Sequence, residues 1–311
     1  MMTRYFKALA VAFGFILVAG NVPAQESAAL PFVRIDRDPV SAGMGFAGVA
    51  STAETAYSSF RNSSVIPFSG RKMDVGISGQ SWAPDGVKST NINFGTAFNT
   101  GSLVGFSLGA AYQSGEKYSV YNVSGDSKGT YTPSDLVIGA GTGIKILKCL
   151  SFGADFRYAR QSLSADYSCS AFGADAFLTY HSSNFDATAG LSSFGSSVKS
   201  DSGESFSLPT SATVGVYYKT NESPAGRLDV AVDADCFLNG GLTAAVGLQY
   251  SFKNFAFLRA GYHYGSENAV LPSFATLGLG LRYRDVSLDF AYLMANEVIG
   301  GSMTFGLGFR F

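Results

Sequence analysis

Alternation of apolar and polar residues along most of the chain is the feature that most restricts its fold. From about Lys72 onward, large apolar residues repeatedly fall on every second position. The chain ends in the same way on GGSMTFGLGFRF, where Phe305 and Leu307 flank Gly306. A period of two is that of a β-strand, because successive side chains point to opposite faces. The pattern is clearest in MDVGISGQSW, NINFGTAF, VGFSLGAAY, LSFGADFRY, RLDVAVDAD and VSLDFAYLM.

The composition of the two strand faces separates a membrane barrel from a soluble sheet protein. One face carries large apolar residues, and the other carries Gly, Ser, Asn, Asp and Arg. Only 14% of the residues are charged, against roughly 25% in soluble domains. Little charge is therefore available to cover a large outer surface. A barrel with its apolar face towards lipid and its small polar face towards the lumen explains both observations better than a soluble sandwich does.

The number and length of the alternating segments predict the size of the barrel. Weaker candidates between the six clear ones bring the total to about fourteen, most of them close to the roughly 9–11 residues that cross a bilayer when tilted. The mature chain has no apolar run near the roughly 20 residues of a membrane helix, and lipid excludes open sheet edges. We therefore predict an all-β fold, a transmembrane antiparallel β-barrel of about fourteen strands over residues 71–311, in the bacterial outer membrane.

The start of the chain has the pattern of an export signal. Arg4 and Lys7 precede the short apolar run ALAVAFGFILVAG, and VPA ends at Ala24 as a typical cleavage site. We predict a signal peptide over residues 1–24; a retained anchor is the weaker alternative because the run is short. The formal net charge is -1, which gives no electrostatic basis for binding nucleic acid.

Residues 25–70 lack the alternation and are rich in Gly and Ala. Within them, STAETAYSSF is compatible with a short helix that begins at Ser51 or Thr52 and has Glu54 in its first turn. Because the predicted inner wall is rich in Gly, the backbone of a small segment can approach it closely. We predict that residues 25–70 form a plug-like segment in the lumen.

Charged residues on the predicted lumen faces are the candidate site residues. A substrate path is the functional interpretation, whereas salt bridges within the wall or to a plug are the simpler one. The set consists of Asp155, Arg157, Asp229, Asp233, Asp235, Arg259, Arg282 and Arg310.

The sequence contains no motif that indicates catalysis or a metal. GAGTG over residues 139–143 resembles a phosphate loop only superficially, because it lies in an alternating strand. His181 and His263 lack ligand spacing, and three widely spaced cysteines allow at most one disulfide. We predict neither an enzyme nor a cofactor.

One segment makes the chain similar to a known family. PFVRIDRDPVSAGMGFAGVASTAETAYSSFRNSSVIPF resembles the opening of PorV/PorQ-type outer-membrane proteins, which are relatives of the FadL fatty-acid transporters. The family pattern GMG-x-AGVA matches residues 43–50, whereas the expected Asn-Pro-Ala turn reads Asn62, Ser63, Ser64. The likeness continues through GTYTPSD, LPTSATVGVYY, AAVGLQYSFKNFAFLRAGY and LGLGLRYRDVSLDFAYL, and so covers nearly all of the mature chain.

The resemblance implies a function and an assembly route. As in PorV and PorQ, the barrel would be a non-catalytic partner or shuttle component in protein secretion or surface attachment of the type IX kind. The alternative is a FadL-like transporter of small hydrophobic molecules. The implied partners are outer-membrane lipid, the barrel-assembly machinery and secretion-system or surface proteins. The assembly machinery would read the terminal residues Phe305, Leu307, Phe309 and Phe311 as its signal.

Overall fold

The computed structural model describes most of the chain from residue 28 onward. The described ranges are 28–82, 88–101, 103–122, 125–165, 167–199, 205–238, 240–294 and 301–311. The predicted signal peptide and its cleavage site lie outside these ranges.

Fourteen strands close into one antiparallel barrel, which confirms the predicted fold class. The order around the barrel is β1-β18-β17-β16-β15-β14-β13-β12-β9-β8-β7-β6-β3-β2, while β4 pairs with β5 and β10 with β11 in two separate hairpins. The strands in chain order are β1 Met73–Trp82, β2 Ser89–Asn99, β3 Val104–Ser114, β4 Tyr118–Tyr121, β5 Ser127–Tyr131, β6 Ser134–Leu147, β7 Leu150–Ser162, β8 Ser168–His181, β9 Phe185–Gly195, β10 Val198–Lys199, β11 Ser205–Phe206, β12 Ser211–Lys219, β13 Arg227–Phe237, β14 Leu242–Phe252, β15 Ala256–Gly265, β16 Phe274–Tyr283, β17 Val286–Met294 and β18 Ser302–Arg310.

The barrel closes where its first strand meets its last. β1 pairs with β18 from Asp74 opposite Arg310 to Ser81 opposite Met303. The backbone N–H of Phe311 donates to the carbonyl of Met73 at 2.8 Å, which extends this pairing to the final residue. Closure leaves no barrel strand with an unpaired edge in lipid, as a membrane-spanning sheet requires.

The two faces of the wall follow the predicted alternation. In β2, Ile92 and Phe94 are exposed on the outside, whereas Asn91 and Asn93 are buried inside. The same holds in β13, where Leu228 and Val232 are exposed and Asp229 and Asp233 on the lumen face are buried. The outer surface is thus a continuous apolar band that suits contact with lipid.

The two ends of the barrel differ in the length of their connections. At one end, which we call the turn end, strands join through short turns such as 148–149, 253–255 and 284–285. At the other, the loop end, most connections are longer, and two of them contain the hairpins β4–β5 and β10–β11. In outer-membrane barrels short turns face the periplasm and long loops face outward.

Residues 28–70, which we call the plug, occupy the lumen. The plug starts at the loop end, where the N–H of Ala29 donates to the carbonyl of Ser207 at 2.9 Å, and it leads into β1 at the turn end. It contains 3₁₀ helices at Pro31–Arg34, Ser58–Phe60 and Ser63–Phe68, and one α-helical turn, α1, at Pro39–Ala42. No described helix is long and apolar enough to cross a membrane.

The helix suggested at Ser51 or Thr52 is wrong. That stretch consists of bends, turns and irregular backbone until the 3₁₀ helix at Ser58–Phe60. Its polar side chains instead bond to the wall: Thr52 donates to Asp186 at 3.0 Å, Thr55 donates to Asp74, and Glu54 pairs with two arginines. These partners lie in different directions, so a regular helix could not reach all of them.

Glycines on the inner wall give the plug its space. A Cβ atom at Gly143, within the GAGTG segment of β6, would overlap the carbonyl oxygen of Ser63. A Cβ atom at Gly261 in β15 would overlap the backbone of Met44 and Gly45. GAGTG is therefore a stretch of barrel wall against which the plug packs.

Candidate functional site

At the turn end, a carboxylate of the plug binds two arginines of the wall. Glu54 pairs with Arg282 of β16 at 3.1 Å and with Arg310 of β18. Burial by itself would raise the pKa of Glu54, but the charges of Arg310, Arg282 and Arg71 outweigh that effect and lower it to about 2. Glu54 is thus ionised at any physiological pH and ties the plug to the closing strands.

In the middle of the lumen, aspartates of the wall accept hydrogen bonds from the plug backbone and hydroxyls. Asp155 of β7 accepts from the N–H of Ser63 at 3.1 Å and from its hydroxyl. Asp233 of β13 accepts from the N–H groups of Gly48 and Val49 at 2.7 and 2.8 Å. These carboxylates replace the secondary-structure bonds that the plug lacks.

Asn62, Ser63 and Ser64, which stand where the family pattern has Asn-Pro-Ala, bond to other parts of the plug and to the wall. The side-chain oxygen of Asn62 accepts from the N–H of Ser64 at 2.9 Å and so caps the 3₁₀ helix Ser63–Phe68. Its amide nitrogen donates to the carbonyl of Val49 at 3.0 Å and lies 3.2 Å from the hydroxyl of Thr188. Asn62 therefore links two parts of the plug to each other and to the wall, although the proline of the family pattern is absent.

Between the plug and the wall, towards the loop end, lies a cavity of about 100 Å³, which we call the loop-end cavity. A second cavity, at the turn end beside β1 and β18, has only about 30 Å³. The loop-end cavity is small compared with the roughly 300–1,000 Å³ of pockets for drug-sized ligands. Its lining is partly apolar, from Val33, Ile35, Phe46, Val49, Phe60, Phe177, Phe237 and Leu271, and partly charged, from Arg34, Asp36, Arg37, Arg61, Arg157, Asp233 and Asp235.

Most of the charges around this cavity are paired. Arg34 of the plug bonds to Asp235 at 2.9 Å, and Arg157 of β7 forms an ion pair with Asp175. Arg61 lies 3.6 Å from Asp36 and 4.0 Å from Asp233. Three of the four arginines that line the cavity are thus engaged by carboxylates. The fourth, Arg37, donates to backbone carbonyls.

Two plug residues near the cavity have pKa values far from their ordinary range. Burial, reinforced by the charge of Asp36, raises the pKa of Asp38 to about 7, although Arg61 opposes the shift. Burial and the nearby Arg157 lower the pKa of Arg37 to about 10. The guanidinium of Arg37 donates to the carbonyl of Ile35 at 2.8 Å, so backbone oxygens take the place of a carboxylate partner.

Three aromatic rings form one side of the cavity region. His263 of β15 stacks on Phe274 with ring centroids 4.8 Å apart and planes at 11°. Phe46 of the plug meets both rings edge-on, at 5.9 Å from His263 and 5.0 Å from Phe274. Phe46 has a φ of 68°, an outlier for a bulky residue that marks a locally strained backbone.

The wall is irregular beside the same cavity. The pairing of β8 with β9 shifts between Ala174 and Ala176, opposite Ser192 and Ser193. Ser193 has a φ of 56°, and its N–H donates to Asp175 at 2.5 Å. This bulge interrupts the ladder at the height of the cavity, as bulges near functional sites often do.

The eight predicted lumen charges all lie on the inner side of the wall, but they divide into two groups. Six contact the plug: Asp155, Arg157, Asp233, Asp235, Arg282 and Arg310. The other two belong to a network within the wall, where Arg259 binds Asp289 at 2.7 Å and Asp229 binds Arg227 at 2.7 Å.

Sequence reasoning missed several residues at this site. Arg34 and Arg61 were not considered, and Glu54 was considered only as a first-turn residue of a helix, because the plug has no periodicity from which an orientation could be inferred. His263 was considered only as a metal ligand, although alternation from Arg259 through Gly261 places it on the lumen face. In the described part of the chain, no group of His, Cys, Asp and Glu residues is arranged to hold a metal ion.

The residues of the predicted assembly signal lie on the outer side of β18 and at its end. Phe305 is 59% exposed and Phe311 64% exposed, while Leu307 and Phe309 are half-buried beside β1 and β17. All four face away from the plug and are available to lipid.

Comparisons with known proteins agree on the fold. No protein-family model and no curated protein matches the sequence. Among solved structures, the CymD monoaromatic hydrocarbon channel has 15% identity and a TM-score of 0.62, with 92% of this chain and 99% of that chain covered. The Ralstonia pickettii toluene transporter TbuX has 13% identity, a TM-score of 0.57 and coverages of 86% and 99%. The Pseudomonas putida toluene transporter TodX has 14% identity, a TM-score of 0.54 and coverages of 86% and 95%.

At these identities the likenesses show that the chain shares the barrel fold of these structures. The three structures are described as channels or transporters, and none of these descriptions refers to an enzyme or to protein secretion.

Proposed function

We propose that this protein is an outer-membrane channel for small hydrophobic molecules, which corresponds to the alternative rather than the preferred sequence interpretation. The observation that carries the proposal is the loop-end cavity. It is partly lined by phenylalanines and aliphatic side chains, lies between plug and wall, and adjoins the bulge at Ser192–Ser193. A barrel of the same fold described as a hydrocarbon channel supports the assignment.

The size of the cavity indicates the size of the molecule. An engineered apolar cavity of about 150 Å³ accepts one benzene molecule. A cavity of about 100 Å³ is therefore in the range of one small ring and far below that of a long-chain lipid.

Uptake of radiolabelled toluene by cells that express the protein tests the proposal. Ala245 of β14 lines the cavity, and its neighbour Ala244 is on the opposite, lipid-facing side of the same strand. Ala245→Trp should fill the cavity and reduce initial uptake severalfold, whereas Ala244→Trp should transport like the wild type. Both variants must first show the heat-modifiable gel shift of a folded barrel. Equal uptake by the two variants and the wild type would contradict a route through the cavity.

A role as a partner or shuttle component in secretion or surface attachment is the second candidate. The observation that favours it is a lumen filled by a plug with many polar bonds to the wall, as Glu54 and Asp155 illustrate. Co-purification from detergent-solubilised outer membrane tests it. Stoichiometric recovery of a secretion or surface protein, combined with toluene uptake no greater than in cells without the barrel, would favour this candidate over the channel.

A further inference from the structure

Arg37 is a buried positive charge that forms no ion pair with the described residues. It lines the loop-end cavity and is only 6% exposed. Its hydrogen bonds go to backbone carbonyls of the plug, those of Phe32, Val33 and Ile35. Its pKa is lowered to about 10, chiefly by burial, so the guanidinium is still charged at pH 7. Because a buried charge without a counter-charge is costly, an anion in the cavity can stabilise it.

The guanidinium of Arg37 has hydrogen-bond donors that the plug does not use. It carries five N–H groups, and the bonds to the plug carbonyls engage at most three of them, all on Nη1 and Nη2. Nε forms no hydrogen bond with the described residues and, unlike both ring nitrogens of His263, it is not closed off from solvent-accessible space. Two parallel N–H donors of one guanidinium are what a carboxylate binds best. The unused donors therefore favour a carboxylate as the anion.

The carboxylates around the cavity do not supply this counter-charge. Asp36 and Asp135 attract Arg37 only from a distance. The carboxylate of Asp36 accepts from the N–H of Asp38 at 3.0 Å and lies 3.6 Å from Arg61. Two further carboxylates of the lining already bind the plug, namely Asp233 and Asp235. Of the four arginines that line the cavity, Arg37 alone has no described carboxylate within ion-pair distance.

The apolar part of the cavity limits the size of the anion. The ring of Phe60 lies 4.8 Å from the guanidinium carbon of Arg37, and Phe60 lines the cavity together with Phe46 and Phe177. Aromatic side chains suit an apolar or aromatic neighbour, and about 100 Å³ is in the range of one small ring. A carboxylate attached to one compact apolar group matches both parts of the cavity, whereas an inorganic anion makes no use of the phenylalanines.

We propose that Arg37 makes the loop-end cavity selective for small monocarboxylates whose apolar part is no larger than one ring, by pairing with the carboxylate. The inference rests on the proposed function and narrows its substrate class from small hydrophobic molecules in general to hydrophobic acids. The attachment of Arg37 to the wall supports a fixed site, because its backbone carbonyl accepts from the hydroxyl of Ser78 in β1 at 2.7 Å.

Calorimetric titration of the purified, detergent-solubilised full chain at pH 7 with four ligands tests the selectivity. Benzoate has one ring and the negative charge, benzamide has the same shape without the charge, benzylammonium has the opposite charge, and 4-phenylbenzoate carries the carboxylate on two rings. A charged acceptor strengthens the hydrogen bonds from Arg37 by about tenfold in affinity. Benzoate should therefore bind about tenfold more tightly than benzamide, and the other two ligands should bind more weakly than either.

Three variants assign the preference to Arg37 and to the cavity. Arg37→Gln removes the charge and should bring benzoate to the affinity of benzamide. Arg160→Gln makes the same change at an exposed arginine on the outer side of β7 and should preserve the tenfold ratio. Ala245→Trp fills the cavity and should weaken both ligands. Heat-modifiable mobility verifies that each variant is folded, and the comparison of ligands on the wild type needs no variant.

The outcomes distinguish this inference from the proposed function. Equal binding of benzoate and benzamide by the wild type, or a preference for benzoate that survives Arg37→Gln, would overturn the role of Arg37 and leave a channel for uncharged molecules standing. Binding of 4-phenylbenzoate as tight as that of benzoate would overturn it in favour of a site outside the cavity. Tightest binding of benzylammonium would overturn it in favour of the carboxylates of the lining. Absence of binding by all four, with no uptake of toluene, would overturn the channel as well.

Discussion

Removing the charge of Glu54 should loosen the plug in a way that depends on pH. Glu54 is mostly buried and pairs with Arg282 and Arg310. Its pKa is lowered from 4.5 to about 2, which at 1.36 kcal/mol for each unit corresponds to about 3 kcal/mol. Breaking a buried ion pair by removing one partner costs a similar roughly 3–5 kcal/mol. Glu54→Gln should therefore destabilise the folded protein by about 3 kcal/mol at pH 7.

The sign of the pH dependence follows from the direction of the shift. A carboxyl whose folded-state pKa is depressed contributes its full stability above its unfolded value and loses it as the pH falls through the folded value. The difference between the wild type and Glu54→Gln should thus be constant above about pH 5, shrink below pH 4.5 and nearly vanish towards pH 2.

Urea unfolding in lipid vesicles, followed by the heat-modifiable gel band, measures the effect. With a slope of roughly 3 kcal/mol per molar urea, the expected loss lowers the midpoint by about 1 M at pH 7. Glu267→Gln, in an exposed loop at the other end of the barrel, is the matched control and should not change the midpoint. A midpoint for Glu54→Gln equal to that of the wild type at pH 7, or a difference that persists unchanged at pH 2.5, would refute the reasoning.

Three further predictions concern the wall and its assembly. Phe305→Arg places a charge on the lipid face and should impair insertion by about 2–4 kcal/mol if its side chain lies near the bilayer midplane, whereas Phe305→Tyr should fold normally in the gel-shift assay. Gly261→Val should displace the plug and increase cysteine labelling of a probe at the buried residue Ala47, introduced as Ala47→Cys, while Gly79→Val, where no lumen atom is near, should leave labelling slow. Deletion of Phe311 should slow formation of the folded band in cells; an unchanged rate would exclude an assembly signal that requires this residue.

The barrel could be predicted from the sequence because its pattern is local. Each strand shows its two faces within a few residues, so the inward positions of Asp155 and Arg157 follow from Phe156 between them. The turn chemistry and the scarcity of charge then leave few alternatives to a membrane barrel. No longer-range information was needed.

The plug and the cavity could not be predicted in the same way, because their determinants are distant in the sequence. Glu54 has its partners 228 and 256 residues away. The stretch around it has helical composition, but its side chains bind the wall, and those bonds override local preference. The loop-end cavity similarly depends on how Phe46 meets His263 across 217 residues, which no local pattern reveals.

The contacts of two adjacent plug residues bear on the order in which this molecule assembles. Asp74 and Arg310 face each other across the β1–β18 pairing; Thr55 bonds the first and Glu54 bonds the second. Asp74 and Arg310 are 236 residues apart in the sequence, so the pairing of β1 with β18 has a larger loop-closure entropy cost than the pairing of any two consecutive barrel strands. These two strands are therefore expected to pair last. When they do, one dipeptide of the plug already presents a hydroxyl to one strand and a carboxylate to the other. We therefore expect β1 and β18 to pair, and so close the barrel, after the plug has entered the lumen. The alternative, in which the barrel closes first and the plug enters afterwards, is disfavoured.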